Sequence, residues 1–180
     1  MGDGQVSERI QWIAEVGLSR GGVVVRRYEA SDLDALWMLD QACFSADFRF
    51  DRQAMRRFAE RRGAISLVAE GQIVAGQREI AGFVIVHLEG NGRAVRGYLV
   101  TLDVATPWRR RGLGSQLMEE AEKQARVSGA VAMDLHVYTE NRAAIAFYER
   151  RRYVRTGLAK GFYGRAGMDA FLYRKMLDSE

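Results

Sequence analysis

One cysteine, one proline, two histidines and no long apolar run: these scarcities bound what the 180-residue chain can be. A lone Cys43 excludes an internal disulfide, and the absence of paired Cys/His spacing excludes a structural zinc site. Both fit a reducing compartment, so a cytoplasmic location is expected. No stretch is long and apolar enough to read as a membrane span, and a polar start with Asp3, Glu8 and Arg9 is not a secretory signal. Val6 stands where N-myristoylation requires Ser or Thr. Lysine is scarce as well, confined to Lys123, Lys160 and Lys175, so arginine carries the net charge of +4. That charge by itself does not choose between an anionic cofactor and an RNA-rich partner. What is present is the mixture of an ordinary globular protein, 48% hydrophobic and 28% charged, at a length that favours one domain.

The pattern along the chain is mixed α/β. Residues 1–22 read as a leader, with Ile10, Ile13, Ala14 and Gly17 at helical spacing and Ser19-Arg20-Gly21-Gly22 as a flexible stretch. A single domain is expected over 23–178. Val23–Tyr28 reads as a strand, Ser31 and Asp34 as the start of a helix carrying Leu33, Leu36, Trp37 and Leu39, and Asp51–Arg62 as a second helix stopped by Gly63. Three strands follow, Ile65–Glu70, Ala81–Leu88 and Gly97–Val104. Glycine turns at Gly71, Gly76 and Gly90-Asn91-Gly92 separate them into an antiparallel meander. A helix over Gly112–Val127, a strand over Ala132–Tyr138, a helix over Asn141–Arg151 and strands over Tyr153–Leu158 and Met168–Met176 complete the order.

The junction Leu102-Asp103-Val104-Ala105-Thr106-Pro107-Trp108-Arg109-Arg110-Arg111-Gly112-Leu113-Gly114-Ser115 carries the most chemistry. Pro107 forces Thr106 into extended geometry and helps end the strand. Three arginines then open a helix, where cations oppose the macrodipole at up to about 1 kcal/mol each, and folding offers no evident reason for them. An anion does. Gly112 and Gly114 allow close backbone approach, and the first-turn N–H groups of a helix accept phosphate oxygens. The spacing fits neither a P-loop nor a dinucleotide-binding turn, which would need a third glycine where Leu117 stands.

Arg109-x-x-Gly112-x-Gly114 resembles the pyrophosphate motif [QR]-x-x-G-x-[GA] of the GNAT acetyltransferases. Asn141-Arg142-Ala143-Ala144-Ile145-Ala146-Phe147-Tyr148 resembles that family's N-x-x-A-[IL]-x-[FLY]-Y segment. The resemblance spans roughly residues 23 to 178 and is most specific from 98 to 163. It implies a GNAT fold, a mixed central sheet of about seven strands with about four helices on its faces, and acetyl-coenzyme A as cofactor. Leu102, Asp103 and Val104 would then offer backbone to the pantetheine arm, residues Arg109, Arg110, Arg111, Gly112, Leu113, Gly114 and Ser115 would hold the pyrophosphate, and Asn141 would contact the arm. Tyr148 would lie near the thioester sulfur and protonate it on departure.

His136, in Leu135-His136-Val137, and Tyr98 resemble residues of a subgroup of N-alpha-acetyltransferases in which they line the peptide site and the histidine helps deprotonate the amine. Gly161-Phe162-Tyr163-Gly164 resembles the aromatic loop that closes over the acceptor, with Phe162 in place of the more usual Tyr. The other histidine, His87, reads as structural, and Cys43 lies far in sequence from this set. The resemblance therefore implies acetyl transfer to a primary amine, a protein or peptide N-terminus first, with ribosomal proteins among the acceptors. A small-molecule amine acetyltransferase for polyamines or aminoglycosides and a non-enzymatic acyl-coenzyme A module stay open as alternatives. No metal, membrane or direct nucleic-acid partner is expected, and the oligomeric state is unassigned.

Overall fold

The computed structural model describes residues 18–20, 22–72, 78–90, 95–164 and 167–177. The helical spacing at Ile10–Gly17 and the turns at Gly76 and Asn91-Gly92 lie outside them. Within them the order is β1 (Leu18–Arg20), β2 (Val23–Arg27), α1 (Leu33–Cys43), α2 (Arg52–Ala59), β3 (Ile65–Gln72), β4 (Arg78–Glu89), β5 (Arg96–Val104), α3 (Leu113–Val127), β6 (Ala132–Tyr138), α4 (Arg142–Arg150), β7 (Val154–Ala159) and β8 (Ala170–Met176). The strands form one sheet in the order β1-β2-β3-β4-β5-β6-β8-β7. Every neighbouring pair is antiparallel except β5–β6.

The α+β fold and the meander are as the sequence implied, with one strand more at the sheet's edge. Leu18–Arg20, read from sequence as flexible, pairs with Val23–Val25 through a turn in which Gly22 takes φ 79°. Gly71, read as a turn, lies inside β3. Ser31 is not the cap of α1; it sits in a 3-10 turn over Ala30–Asp32. There Asp32 accepts the Glu29 N–H at 2.8 Å and pairs with Arg26 at 2.7 Å. The second helix starts as expected, with Asp51 accepting from the Ala54 N–H at 2.6 Å, but it ends at Ala59.

Each sheet face buries one core. On one, Leu113, Leu117, Met118, Ala121 and Ala125 form the apolar stripe of α3 and pack on Val84, Val86 and Leu99. On the other, Leu33, Leu36 and Met55 from α1 and α2 cover Val68, Phe83 and Ile85. Complete burial of Leu117 or Met118 contributes about 1.5–3 kcal/mol each.

Two irregularities in β5 open the middle of the sheet. The register of β5 against β4 slips by one residue between Ile85 and Val86, leaving Val100 unpaired and bending the strand. Its parallel pairing with β6 covers only Arg96–Tyr98 against Ala132–Asp134. Beyond Tyr98 the two strands part.

Candidate active site

The gap between β5 and β6 is a cavity of about 200 Å³. Leu99, Val100, Thr101 and Leu102 line it from β5, His136, Val137 and Tyr138 from β6, Asn141, Ala144 and Tyr148 from the start and inner face of α4, and Phe44, Phe48, Phe50 and Tyr163 from loops. Residues separated by a hundred positions meet because the strands that carry them stop pairing. Phe48 stands edge-on to Tyr163 at 4.8 Å and lies 5.2 Å from Tyr138.

His136 projects into this cavity, while Leu135 belongs to the core beneath α3, as does Val137, which also borders the cavity. Its Nδ1 lies 3.1 Å from the Tyr98 hydroxyl. Phe162, half exposed, stacks on the imidazole with centroids 4.0 Å apart and planes within 8°. Burial pushes His136 below the ordinary imidazole value, against a smaller upward pull from Asp134, so the ring is neutral at pH 7. Burial also raises Tyr98 and, further, the buried Tyr148, so both phenols keep their protons. Asn141 spends its carboxamide oxygen on α4, accepting the Ala144 N–H at 3.1 Å as an N-cap. His87 stays out of the cavity, held by the Arg61 guanidinium at 2.8 Å and the Phe58 carbonyl at 2.9 Å.

At the far end of β5 the chain turns through Thr106–Trp108 into α3. Gly112 takes φ 84° as the N-cap residue, and neither a side-chain cap nor an acidic first-turn residue neutralises the helix terminus. Gln116 is the first residue whose N–H closes onto this turn, reaching the Gly112 carbonyl at 3.0 Å. The sequence left the three arginines without a folding role, and for two of them the structure supplies one. Arg109 donates from Nε to the Val104 carbonyl at 2.8 Å and from its guanidinium to Cys43 Sγ at 3.4 Å, fastening the turn to β5 and α1. Arg111 lies over the Trp108 ring.

A family model described as the acetyltransferase (GNAT) family matches residues 33–153. The chain belongs to the GNAT acetyltransferase family. An N-alpha-acetyltransferase of Arabidopsis thaliana, MAK3, is 32% identical over 90 residues, half of this chain and 47% of the relative, so the chain spans about half that protein's length. Among solved structures, Arabidopsis thaliana NAA60 in complex with a bisubstrate analogue superposes with TM-score 0.75 at 22% identity, over 87% of this chain and 99% of that one. The ribosomal-protein-S18-alanine N-acetyltransferase of Escherichia coli gives 0.73 at 19%, over 88% and 96%. At these identities the structural likeness establishes the fold.

Acetyl-coenzyme A is the acyl donor of the GNAT family, and the residues present suit it. Beyond Tyr98, β5 has no strand partner on the β6 side among the described residues, which leaves the main chain of Leu102 and the Val104 N–H for an extended ligand, the Val104 carbonyl being held by Arg109. The uncapped α3 terminus, with Arg110 exposed beside it, suits a pyrophosphate. Asp103 does not present itself to the extended ligand, because its side chain is buried away from the cavity and its main chain pairs with Phe83 of β4.

Sequence reasoning missed the aromatic wall and the footing of the turn that leads into α3. The wall had a visible signal in three phenylalanines, Phe44, Phe48 and Phe50, within seven residues of an otherwise polar loop. The footing had none. Trp108 donates to Glu79 at 2.9 Å and lies on Gly71 so closely that a Cβ there would stand 2.1 Å from the indole.

Proposed function

We propose that the chain transfers the acetyl group of acetyl-coenzyme A to the N-terminal α-amino group of a protein or peptide, in a ternary complex. The observation that carries this reading is the Tyr98–His136 pair, 3.1 Å apart, whose histidine lines an apolar cavity that Tyr148 also lines while Tyr98 stands behind it. The cofactor supplies an activated acetyl group, and the chain's own residues manage protons and position. An α-amino group, with a pKa of about 7.7–8.0, must lose its proton to attack. A neutral His136 with its proton on Nδ1 donates to the Tyr98 oxygen and offers Nε2 as the acceptor, directly or through water. Tyr148, kept protonated by burial, is the proton source for the leaving group.

The walls define the acceptor. Phe44, Phe48, Phe50, Val100, Tyr138 and Tyr163 favour an apolar first side chain. No carboxylate is among the residues that line the cavity, which counts against polyamines and aminoglycosides. The Escherichia coli relative's name specifies a ribosomal-protein alanine, so ribosomal N-termini belong in the acceptor panel and the cytoplasm is the expected setting. The test is coenzyme A release with peptides beginning with Met, Leu, Ala or Ser, the same peptides N-terminally blocked, spermidine and an aminoglycoside. Free peptides with an apolar first residue should turn over and blocked ones should not. Preference for the polyamine would overturn the reading, and binding of acetyl-coenzyme A without any turnover would favour a non-enzymatic module.

A further inference from the structure

The hairpin between β7 and β8 sends its two neighbouring aromatic rings to different places. Tyr163 lines the acceptor cavity, and Phe162 does not. Phe162 lies instead on the imidazole of His136, with centroids 4.0 Å apart and planes within 8°. It is 42% exposed, so one face of its ring meets solvent while the other covers the histidine. The hairpin is tied to the strand that carries His136. Gly161, at φ 59°, donates its N–H to Asp169 Oδ1 at 2.7 Å, and the Asp169 carbonyl accepts the N–H of Thr139, just past the end of β6, at 3.0 Å. The Gly164 N–H closes the turn on the Gly161 carbonyl at 2.9 Å. Tyr163 stands edge-on to Phe162 at 5.0 Å and to Phe48 at 4.8 Å, which braces the ring from the cavity side.

Among the described residues, the only hydrogen bond of the His136 side chain is the 3.1 Å contact of Nδ1 with the Tyr98 hydroxyl. One such bond leaves χ2, a broad and roughly two-fold torsion, free to rock, or to flip and exchange Nδ1 for Nε2. Either motion turns an edge of the imidazole into the flat ring that covers it, where no space is left. We propose that Phe162 is a positioning residue for acetyl transfer: by lying on the imidazole it holds His136 in the orientation that keeps Nδ1 on Tyr98 and turns Nε2 towards the acceptor amine. This role rests on the reading of His136 as the base for a free N-terminus. It is one of shape, not of charge. The ionisable groups around the imidazole are Tyr98 from β5, Tyr138 on the same strand, Tyr163 from the hairpin and Asp134, which pairs with Arg174 at 2.6 Å and Arg96 at 3.5 Å. Phe162 adds no charge to them. It keeps water from one face of the ring, in line with the burial that holds His136 below the ordinary imidazole value.

The experiment compares wild type with Phe162→Leu, which keeps an apolar side chain without the flat face, and with Phe162→Tyr, which restores that face. At so exposed a position neither change should unfold the chain. His87 and His136 are the only histidines, so His136→Ala assigns the imidazole proton signals by deletion. In the free wild-type protein the ring current of Phe162 should displace the His136 signals upfield, and Phe162→Leu should abolish the displacement. On a free-N-terminus peptide, Phe162→Leu should lower kcat by about three- to tenfold near pH 6.5 with the peptide KM within about twofold, and the loss should close by about pH 9.5, where the amine no longer needs a base. Phe162→Tyr should recover most of that kcat. In a His136→Ala background the leucine should cost less than about twofold, because no imidazole is left to orient.

Unaltered His136 signals in Phe162→Leu would overturn the contact itself. An equal fractional loss at every pH, an undiminished loss in the His136→Ala background, or a peptide KM that rises with kcat unchanged would overturn the positioning role and make Phe162 a wall for the peptide. The kinetic arm rests on the peptide-acceptor reading and the spectroscopic arm does not. A chain that turns over no peptide but loses the displacement in Phe162→Leu would fail that reading and keep the clamp on His136.

Discussion

Replacing Gly71 with alanine is the most direct probe of how the turn between β5 and α3, the candidate cofactor turn, is anchored. The new Cβ would stand 2.1, 2.4 and 2.7 Å from three atoms of the Trp108 indole. Ordinary carbon–carbon contact begins near 3.5 Å, so the ring must retreat by about 1.4 Å from its closest approach. An indole is rigid and cannot yield by turning one terminal group. Its retreat strains the 2.9 Å hydrogen bond to Glu79 and moves the ring over which Arg111 lies. Overpacking of this kind costs about 1–3 kcal/mol, which in a domain of this size lowers Tm by about 2–12 °C. Trp108 adjoins Arg109, whose bond to the Val104 carbonyl holds the turn to β5, so acetyl-coenzyme A affinity should fall as well. Calorimetric Tm and titration of acetyl-coenzyme A measure both effects. Trp108→Phe in the Gly71→Ala background should recover part of the stability, because the smaller ring vacates the clash. Unchanged Tm in Gly71→Ala, or no recovery in the double variant, would refute the argument.

Gly112 holds φ 84°, so Gly112→Asn and Gly112→Asp carry similar backbone strain and differ mainly in charge. If α3 binds pyrophosphate, the aspartate should raise the acetyl-coenzyme A Kd about tenfold or more above the asparagine, and equal affinities would argue against the site. Tyr148→Phe should lower turnover by about 10²–10⁴-fold while leaving the cofactor Kd within about twofold; a matched loss of affinity would make Tyr148 a binding residue. His136 is held below the ordinary imidazole value, so the wild-type acid limb should lie below about pH 6.5, whereas in His136→Ala the amine's own value of about 7.7–8.0 takes over. The deficit of that variant should therefore exceed about tenfold near pH 6.5 and close by about pH 9.5, and an equal fractional loss at every pH would remove His136 as the base.

The element types were legible because each has a local cause. The period of α3, the Asp51 cap and the glycine that follows α3 are written in adjacent residues, whereas Gly63 lies four residues past the end of α2. The candidate cofactor turn was legible for the same reason, since an uncapped helix terminus, two glycines and three arginines lie in one short segment. The strand at Leu18–Arg20 was not, because so short an edge strand forms by pairing with Val23–Val25 and carries little pattern of its own. Gly71 was misread as a turn because glycine's absence of a side chain serves a tight turn and a close-packed indole equally well, and sequence does not distinguish them.

What the sequence determined by itself is therefore what depends on neighbours along the chain: the helices and strands, the phosphate-type turn, and the alternation that separates His136 from Leu135 and Val137 on the two sheet faces. Tertiary structure alone decided how these parts meet. The gap beyond Tyr98 and Asp134 exists because β5 bends at an unpaired Val100 and β6 does not follow it. Only that divergence gathers Phe44, Phe48, Phe50, Thr101, His136 and Tyr148 around one cavity, and only the packing of α1 on β5 brings Cys43 to the Val104 carbonyl across 61 positions of chain. Contacts of that range are set by strand register and helix docking, which are cooperative properties of the whole sheet and leave no mark in any single segment.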